Sequence, residues 1–391
     1  MTGLARVIRR VRVFRYISKA REQRTITGMF VLIALAIWSS MNAYVIWRVV
    51  TLPKVAERVP RWAAITAGVV LASSWLVARA LESLHIGTVA RVLEWIGAQW
   101  MGAVLIALAC FFIADVITGF GKFIPRHAGA ARLIAFTVAV TLTLVAMANA
   151  LRPPVVREHE VRIRNLPPAR DGMVVVAISD LHLGSLTSAG WFEDRVTQVE
   201  ALHPDLILIA GDLIEGDGPP ESEFPRALRA LRAPFGVWAV PGNHERHQGA
   251  ADAVLARAGI RVLRDEAVEV APRLYVAGVD TVGHTRVPGR GLVEKALAHV
   301  PPETATILLS HYPEQVEDAS RRGVGLMIAG HTHGGQIWPF GLFVRMAYRY
   351  TAGRYEVGAM PLIVCRGTGT WGPRMRLWAP NEMLRIVLRR E

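Results

Sequence analysis

Three observations predict an α-helical membrane domain of about four spans joined to an α/β domain. Apolar stretches near the ~20 residues that cross a hydrocarbon core are confined to the first 151 residues. After Pro153-Pro154 the pattern changes to short apolar runs alternating with amphipathic segments, the signature of a layered α/β domain. Charge divides at the same place. Residues 1–152 hold 18 Lys and Arg against 5 Asp and Glu, while 153–391 hold 27 against 27, so all of the net +13 lies in the apolar half. The expected domains are therefore 1–152, a multi-span membrane domain with a basic N-terminal tail, and 153–391.

The spans read as Met29–Val50, Trp62–Val77, Ile96–Gly119 and Leu133–Leu151. The second is short, because Arg79 interrupts it. Arg6, Arg9, Arg10, Arg12, Arg15, Lys19, Arg21 and Arg24 precede the first span, whose apolar run is too long for a signal peptide. Alternate loops, starting from this tail, carry 14 positive residues against 6 in the others. That asymmetry places the N-terminus and, after four spans, the 153–391 domain in the cytoplasm of a multi-pass cell-membrane protein. Failure of the second span to insert would reverse the domain. Asp115 reads as an acid at a helix end, level with the headgroups. A transporter is not expected, for lack of paired charges inside the spans.

Composition excludes several classes. A chain that is 52% hydrophobic and 20% charged is not disordered. Two cysteines, Cys110 and Cys365, supply neither a disulfide framework nor a thiolate metal site. The neutral second half lacks the basic groove that nucleic acid requires, so no DNA partner is expected.

Within that half, Met173–Ser179, Leu206–Ala210, Val237–Val240, Leu274–Val279, Ile307–Ser310 and Leu326–Ala329 read as buried strands. Phe192, Val196, Val199 and Leu202 mark one helix face, and Ala253–Ala258, Leu292–Ala298 and Gln315–Arg321 are similar. Five of the strands end in polar clusters: Asp180-Leu-His182, Gly211-Asp212-Leu-Ile-Glu215, Gly242-Asn243-His244-Glu245, His311, and Gly330-His331-Thr-His333. Ligands bind at that rim in open α/β sheets. Buried carboxylates and imidazoles must be paired or must coordinate a metal. In Asp180-x-His182 and His331-x-His333, an extended backbone would point alternate side chains the same way. Seven such donors exceed the needs of one ion and suit two, bridged by a carboxylate.

In these residues the sequence resembles the calcineurin-like metallophosphoesterases, over about 155–391. The segments His331-Thr-His-Gly-Gly-Gln336 and Gly367-Thr-Gly to Pro373-Arg374-Met-Arg376 look like the bacterial membrane-attached branch. That branch includes proteins similar to phosphodiesterases and to the UDP-2,3-diacylglucosamine pyrophosphohydrolase of lipid A synthesis. The resemblance implies a four-layer αββα sandwich, a metallophosphoesterase domain over 153–391, and two divalent ions. One ion would take Asp180, His182, Asp212 and His333; the other would take Asp212, Asn243, His311 and His331. Oxygen and nitrogen donors without sulfur suit Mn, Fe or Zn. His244 would protonate the leaving oxygen or clamp the transition state.

Two ions with Asp180 and Asp212 would leave the site positive, drawing in a phosphate and favouring in-line attack by a metal-activated hydroxide. Glu215 and Glu245 are spaced to orient histidine ligands. His159, His203, His247, His284 and His299 match no motif, and Cys365 reads as core. Over Ile337–Tyr355, Trp338, Phe340, Leu342, Phe343, Met346, Tyr348 and Tyr350 interleave with Arg345, Arg349 and Arg354. That mixture suits a membrane-interfacial surface or a lid over an acyl chain, with Arg345 and Arg349 toward the substrate; RNA stacking and a packing insertion are the alternatives.

The sequence therefore predicts a membrane-bound phosphohydrolase, cleaving a phosphodiester or pyrophosphate in a phosphorylated lipid or nucleotide-lipid. Its partners are the lipid bilayer and that substrate, with no obligate protein partner. The alternatives are a nuclease or cyclic-nucleotide phosphodiesterase, and a non-catalytic metal-bearing membrane scaffold.

Overall fold

The computed structural model describes residues 28–29, 31–84, 86–215, 224–245, 249–280 and 291–391. The basic tail, His247 and His284 lie outside the described residues. Among the described residues, four helices are long and apolar enough to cross a membrane: α1 (Val31–Val50), α2 (Arg61–Ser83), α3 (Gly87–Thr118) and α4 (Pro125–Leu151). Leu32, Val70, Phe112 and Ile117 expose apolar side chains on them, as lipid-facing helices do. The span expected to be short is full length. Helix α2 continues through Arg79 and Glu82, which pair with each other at 2.8 Å on the exposed surface.

Contacts group the chain into two compact units, Met1–Ser73 with Ala107–Thr137 and Ser74–Ile106 with Val138–Glu391. The first unit corrects the expectation that intramembrane charges are unpaired. Asp115 is fully buried. Its Oδ2 meets Arg48 Nη2 and accepts from the Tyr44 hydroxyl, both at 2.5 Å. Its Oδ1 accepts from Arg132 Nε at 2.9 Å. The Arg48 guanidinium also lies 3.7 Å from the Trp47 ring centroid. These partners lie far apart in sequence, so no local pattern announces the cluster.

The second unit contains two six-stranded sheets. One has the spatial order β1 (Val155–Ile163), β12 (Glu382–Arg390), β2 (Val174–Ile178), β3 (Leu206–Ala210), β4 (Val237–Val240), β5 (Ile260–Val262). The other runs β10 (Gly353–Val357), β11 (Met360–Val364), β9 (Leu326–Ala329), β8 (Ala305–Ser310), β7 (Leu274–Val279), β6 (Glu266–Ala271). Strands β2 to β5 are parallel, as are β7, β8, β9 and β11.

The two-residue period of a strand sorts the side chains into layers. Val175, Ala177, Leu206 and Leu208 meet Val276, Ile307, Leu309 and Ile328 between the sheets. Their neighbours Val176, Ile178, Ile207 and Ile209 pack on Phe192, Val196 and Val199 of α5 (Ala189–Glu200), Leu228 of α6 (Pro225–Ala230) and Leu255 of α7 (Gly249–Arg257). On the far side, Leu308, Met327 and Leu362 pack on α8 (Leu292–Ala296) and α9 (Val316–Arg321). The result is the expected αββα sandwich. Ser188 caps α5 by accepting from the Trp191 N–H. Cys365 is buried in the inter-sheet core.

Removing one partner of a buried ion pair typically costs about 3–5 kcal/mol. Asp115→Ala, which strands the buried Arg48 guanidinium, should lower the Tm of the detergent-solubilised protein by several degrees. An unchanged Tm would show that the cluster does not hold the first unit together.

Candidate metal centre

Strands β2, β3, β4, β8 and β9 all point their C-terminal ends to one place. Asp180 and His182 follow β2, Asp212 and Glu215 follow β3, and Asn243, His244 and Glu245 follow β4. His311 follows β8, while His331 and His333 follow β9. The loops are laced by backbone bonds, with the Asp180 N–H donating to Gly211 O and the His182 N–H to Asp212 O, each at 3.0 Å. A bond between sheets closes the ring: the His331 N–H donates to Asp180 Oδ1 at 3.1 Å.

The backbone departs from the extended form expected around Asp180 and His331. Asp180, His182, Asp212, His331 and His333 have φ of 53°, 49°, 50°, 70° and 49°. Non-glycine residues adopt this left-handed region at a cost, and such outliers cluster at functional sites. Turning the chain sharply after each strand brings all five side chains to the rim. The same crowding fixes two glycines. A Cβ on Gly242 would lie 2.0 Å from Asp212 Oδ1, and one on Gly330 would lie 2.6 Å from Asp180 Oδ2.

Three groups of donors result: Asp180, His182 and His333; Asp212, His311 and His331; and His182, Asp212 and His244, with donor atoms within 4.8 Å of one another in each. His333 Nε2 lies 3.4 Å from Asp180 Oδ1 and 3.2 Å from His182 Nε2. His311 Nε2 lies 3.2 Å from Asp212 Oδ2, 3.0 Å from Asn243 Oδ1 and 3.2 Å from His331 Nδ1. All seven donors predicted from sequence are thus brought together. Imidazole nitrogens cannot face each other at 3.2 Å without a proton or cation between them, and this donor set, free of sulfur, fits metal ions. Asp212 belongs to two groups, so the arrangement suits two ions.

Burial would raise the Asp212 carboxyl, but His311, His182 and His244 hold it well below the usual carboxylate range. Burial works against a charge on His311, yet Asp212 and Asp180 push it up to about 9. His331 falls to about 3 through burial and the neighbouring His311. Burial and the Arg376 guanidinium hold His333 well below its ordinary value. His331 and His333 are thus neutral, with the free lone pairs that a metal requires, whereas His311 would give up its proton to a bound ion.

The two glutamates do different work. Glu215 accepts from His182 Nδ1 at 2.5 Å and from His244 Nδ1 at 2.9 Å, orienting both rings as expected. Among the described residues, no hydrogen bond joins Glu245 to a histidine ring. Its carboxylate accepts the backbone N–H groups of Asp212, Ile214 and Gly242 at 3.1, 2.8 and 2.7 Å, so it clamps the loops rather than a ligand. Arg345 is exposed and Arg349 pairs with Glu317 at 2.9 Å; neither is drawn into the cluster. His159, His203 and His299 also lie outside it.

Other contributors escaped the sequence. Tyr348 OH bonds His331 Nε2 at 2.8 Å, leaving Nδ1 toward the cluster. Tyr312 OH donates to Asn243 Oδ1 at 3.3 Å, and the Trp371 ring centroid is 6.0 Å from that of His244. Arg376, fully buried, donates to the carbonyls of His333, Arg366 and Ala379 at 3.0, 2.8 and 3.2 Å. Its place in the segment Pro373-Arg374-Met-Arg376, which carries part of the resemblance, was the available signal, and nothing in the sequence tells that it is buried.

Comparison with known proteins agrees with this geometry. Residues 173–335 match the family described as calcineurin-like phosphoesterase. A metallophosphoesterase of Aquifex aeolicus is 32% identical over 244 residues, covering 60% of this chain and 91% of that protein. The chain belongs to the calcineurin-like metallophosphoesterases. As a member it is a metal-dependent phosphoester hydrolase. A Bos taurus relative, named a transmembrane protein with metallophosphoesterase domain, is 31% identical over 273 residues, covering 65% of this chain and 62% of its own length. Four apolar helices and such relatives mark this metallophosphoesterase as a membrane protein. A solved dimetal phosphatase from Danio rerio aligns over 51% of the chain and 88% of its own, at 15% identity and a TM-score of 0.34, too slight a likeness to argue from.

Gly242→Ala should reduce phosphoesterase turnover at least tenfold, because its methyl group displaces the Asp212 carboxylate. Wild-type turnover in a folded Gly242→Ala protein would contradict the crowding described.

Proposed function

We propose that the protein is a membrane-bound, dinuclear-metal phosphohydrolase that cleaves a phosphodiester or pyrophosphate bond in a lipid-linked or nucleotide-lipid substrate. The single observation that carries this reading is the pair of donor groups sharing Asp212, one with His182 and His244 and the other with His311 and His331. Asp180, His182, Asp212 and His333 would hold one ion, and Asp212, Asn243, His311 and His331 the other. Bound divalent ions supply Lewis acidity toward a phosphoryl oxygen and a water nucleophile at neutral pH. In this reading residues 153–391 carry the chemistry and 1–152 the anchor, and the asymmetry of basic loops supports a cytoplasmic catalytic domain.

The chain's own residues supply the rest. Glu215 fixes the His244 ring through Nδ1, so that Nε2, 3.9 Å from Asp212 Oδ2, faces the centre. Burial disfavours the charged ring, but the bond to Glu215 and the charge of Asp212 raise the His244 pKa. A fixed imidazole at that place, its proton affinity raised, is suited to give a proton to a leaving oxygen. The neutral balance of 153–391 favours a lipid phosphate over nucleic acid.

The test is turnover by the detergent-purified protein in Mn²⁺ on bis-p-nitrophenyl phosphate, a UDP-linked diacyl sugar and short RNA. The lipid substrate should be cleaved, and Asp212→Ala should abolish the activity. His244→Ala should keep its metal content while losing about 10²–10⁴-fold in rate. Cleavage of RNA alone would overturn the lipid assignment. Metal loss in His244→Ala would make that residue a ligand instead of a proton donor.

A further inference from the structure

Helix α10 (Phe340–Ala347) leaves its apolar side uncovered. Phe340, Leu342, Phe343 and Met346 are exposed, Met346 to 84%, and Trp378 nearby is 68% exposed. So large an apolar surface demands a cover.

Contacts within the same compact unit say what the cover is. Helix α3 enters its apolar run at Ile96, and Gly102 lies six residues further on, about 9 Å deeper at the α-helical rise. A Cβ built on Gly102 would lie 2.5 Å from Met375 Sδ, 3.2 Å from Pro373 and 3.4 Å from Ile337 Cδ1. Helix α4 gives a second depth marker. The Arg376 N–H donates to Ala146 O at 2.8 Å, and Asn149 Nδ2 donates to Arg376 O at 3.2 Å. Ala146 is five residues before the end of that helix, about 7 Å from it. With the start of that apolar run and the end of α4 taken as the hydrocarbon boundary, both markers set residues 337 and 373–376 within it, at the 5–10 Å depth that interfacial amphipathic helices reach. The exposed apolar side chains lie immediately beside these residues in the chain.

We propose that α10 and Trp378 form a wedge seated in the leaflet, and that the metal centre therefore opens at headgroup level. Tyr348, the residue after α10, bonds His331, and Trp371 stands beside His244, so the wedge and the rim of the centre are one structure. A lipid phosphate reaches the donors sideways, without leaving the bilayer. Arg345, exposed on the same helix, sits where a headgroup phosphate would meet it. This inference rests on the lipid-linked reading for its substrate, but the wedge itself does not.

The experiment uses the full chain in vesicles of phosphatidylethanolamine and phosphatidylglycerol containing a doxyl-labelled lipid. A fluorophore is placed at Met346→Cys and, as control, at Ala298→Cys, an exposed position just after α8, ahead of the end of β8 opposite His311. Both native cysteines are buried, and the unsubstituted protein measures their labelling. The probe at position 346 should be quenched at least twofold by the doxyl lipid and the probe at 298 should not. Equal, weak quenching at both positions would overturn the wedge. A Phe343→Asp, Met346→Asp double variant should lower the ratio of lipid-phosphate to bis-p-nitrophenyl phosphate turnover at least tenfold; an unchanged ratio would overturn the sideways route. Quenching at 346 without turnover of any lipid phosphate would instead sink the substrate reading and leave the wedge standing.

Discussion

Two carboxylates, Asp180 and Asp212, are buried side by side where the sheets meet, and the rest of the centre answers that constraint. A buried carboxylate is tolerated only when its charge is matched and its lone pairs are used. Here imidazoles surround both, and the His331 and His244 backbone N–H groups donate to them. The left-handed turns after β2, β3 and β9 and the missing side chains at Gly242 and Gly330 follow from bringing so many polar groups into one small space. Glu245 holds the β3 and β4 loops in that shape by taking three backbone donors. The strain is affordable because the strands beneath are fully buried on both faces and cannot relax.

Legibility in the sequence followed burial. Strands β3, β4, β7 and β9 were found at their true bounds, because a strand covered on both faces is an unbroken apolar run. Strands β1 and β12 were not, since Arg157, Glu158, Glu160 and Arg162 interrupt the first and Arg385, Arg389 and Arg390 the second. They pair through nine residues at one side of their sheet, where charge costs little. All seven donors were readable as polar residues just past apolar strands. The backbone that delivers them was not, because propensity gives no hint that Asp180 and His182 are left-handed. Arg376 and Tyr348 were invisible as contributors for a related reason: their partners lie 43 and 17 residues away.

The membrane half shows the same limit. Hydropathy located four helices but placed Asp115 at the headgroups as a lone acid, whereas Arg48, Arg132 and Tyr44 from two other helices enclose it. Pairing in space cannot be read from spacing along one helix. What the sequence did convey was the mixture of aromatics and arginines after Ile337. Ile337 against Gly102, and Arg376 against Ala146 and Asn149, are the contacts that support the proposed place of that segment at the bilayer surface.

The claim on which the rest stands is that these donors hold two ions through a shared Asp212. Metal content of the purified protein after equilibration with Mn²⁺ and removal of loose metal tests it most directly. Two ions per chain in the wild type, with both lost or weakened in Asp212→Ala, is the predicted result. One ion in the wild type, or two retained in Asp212→Ala, would contradict it.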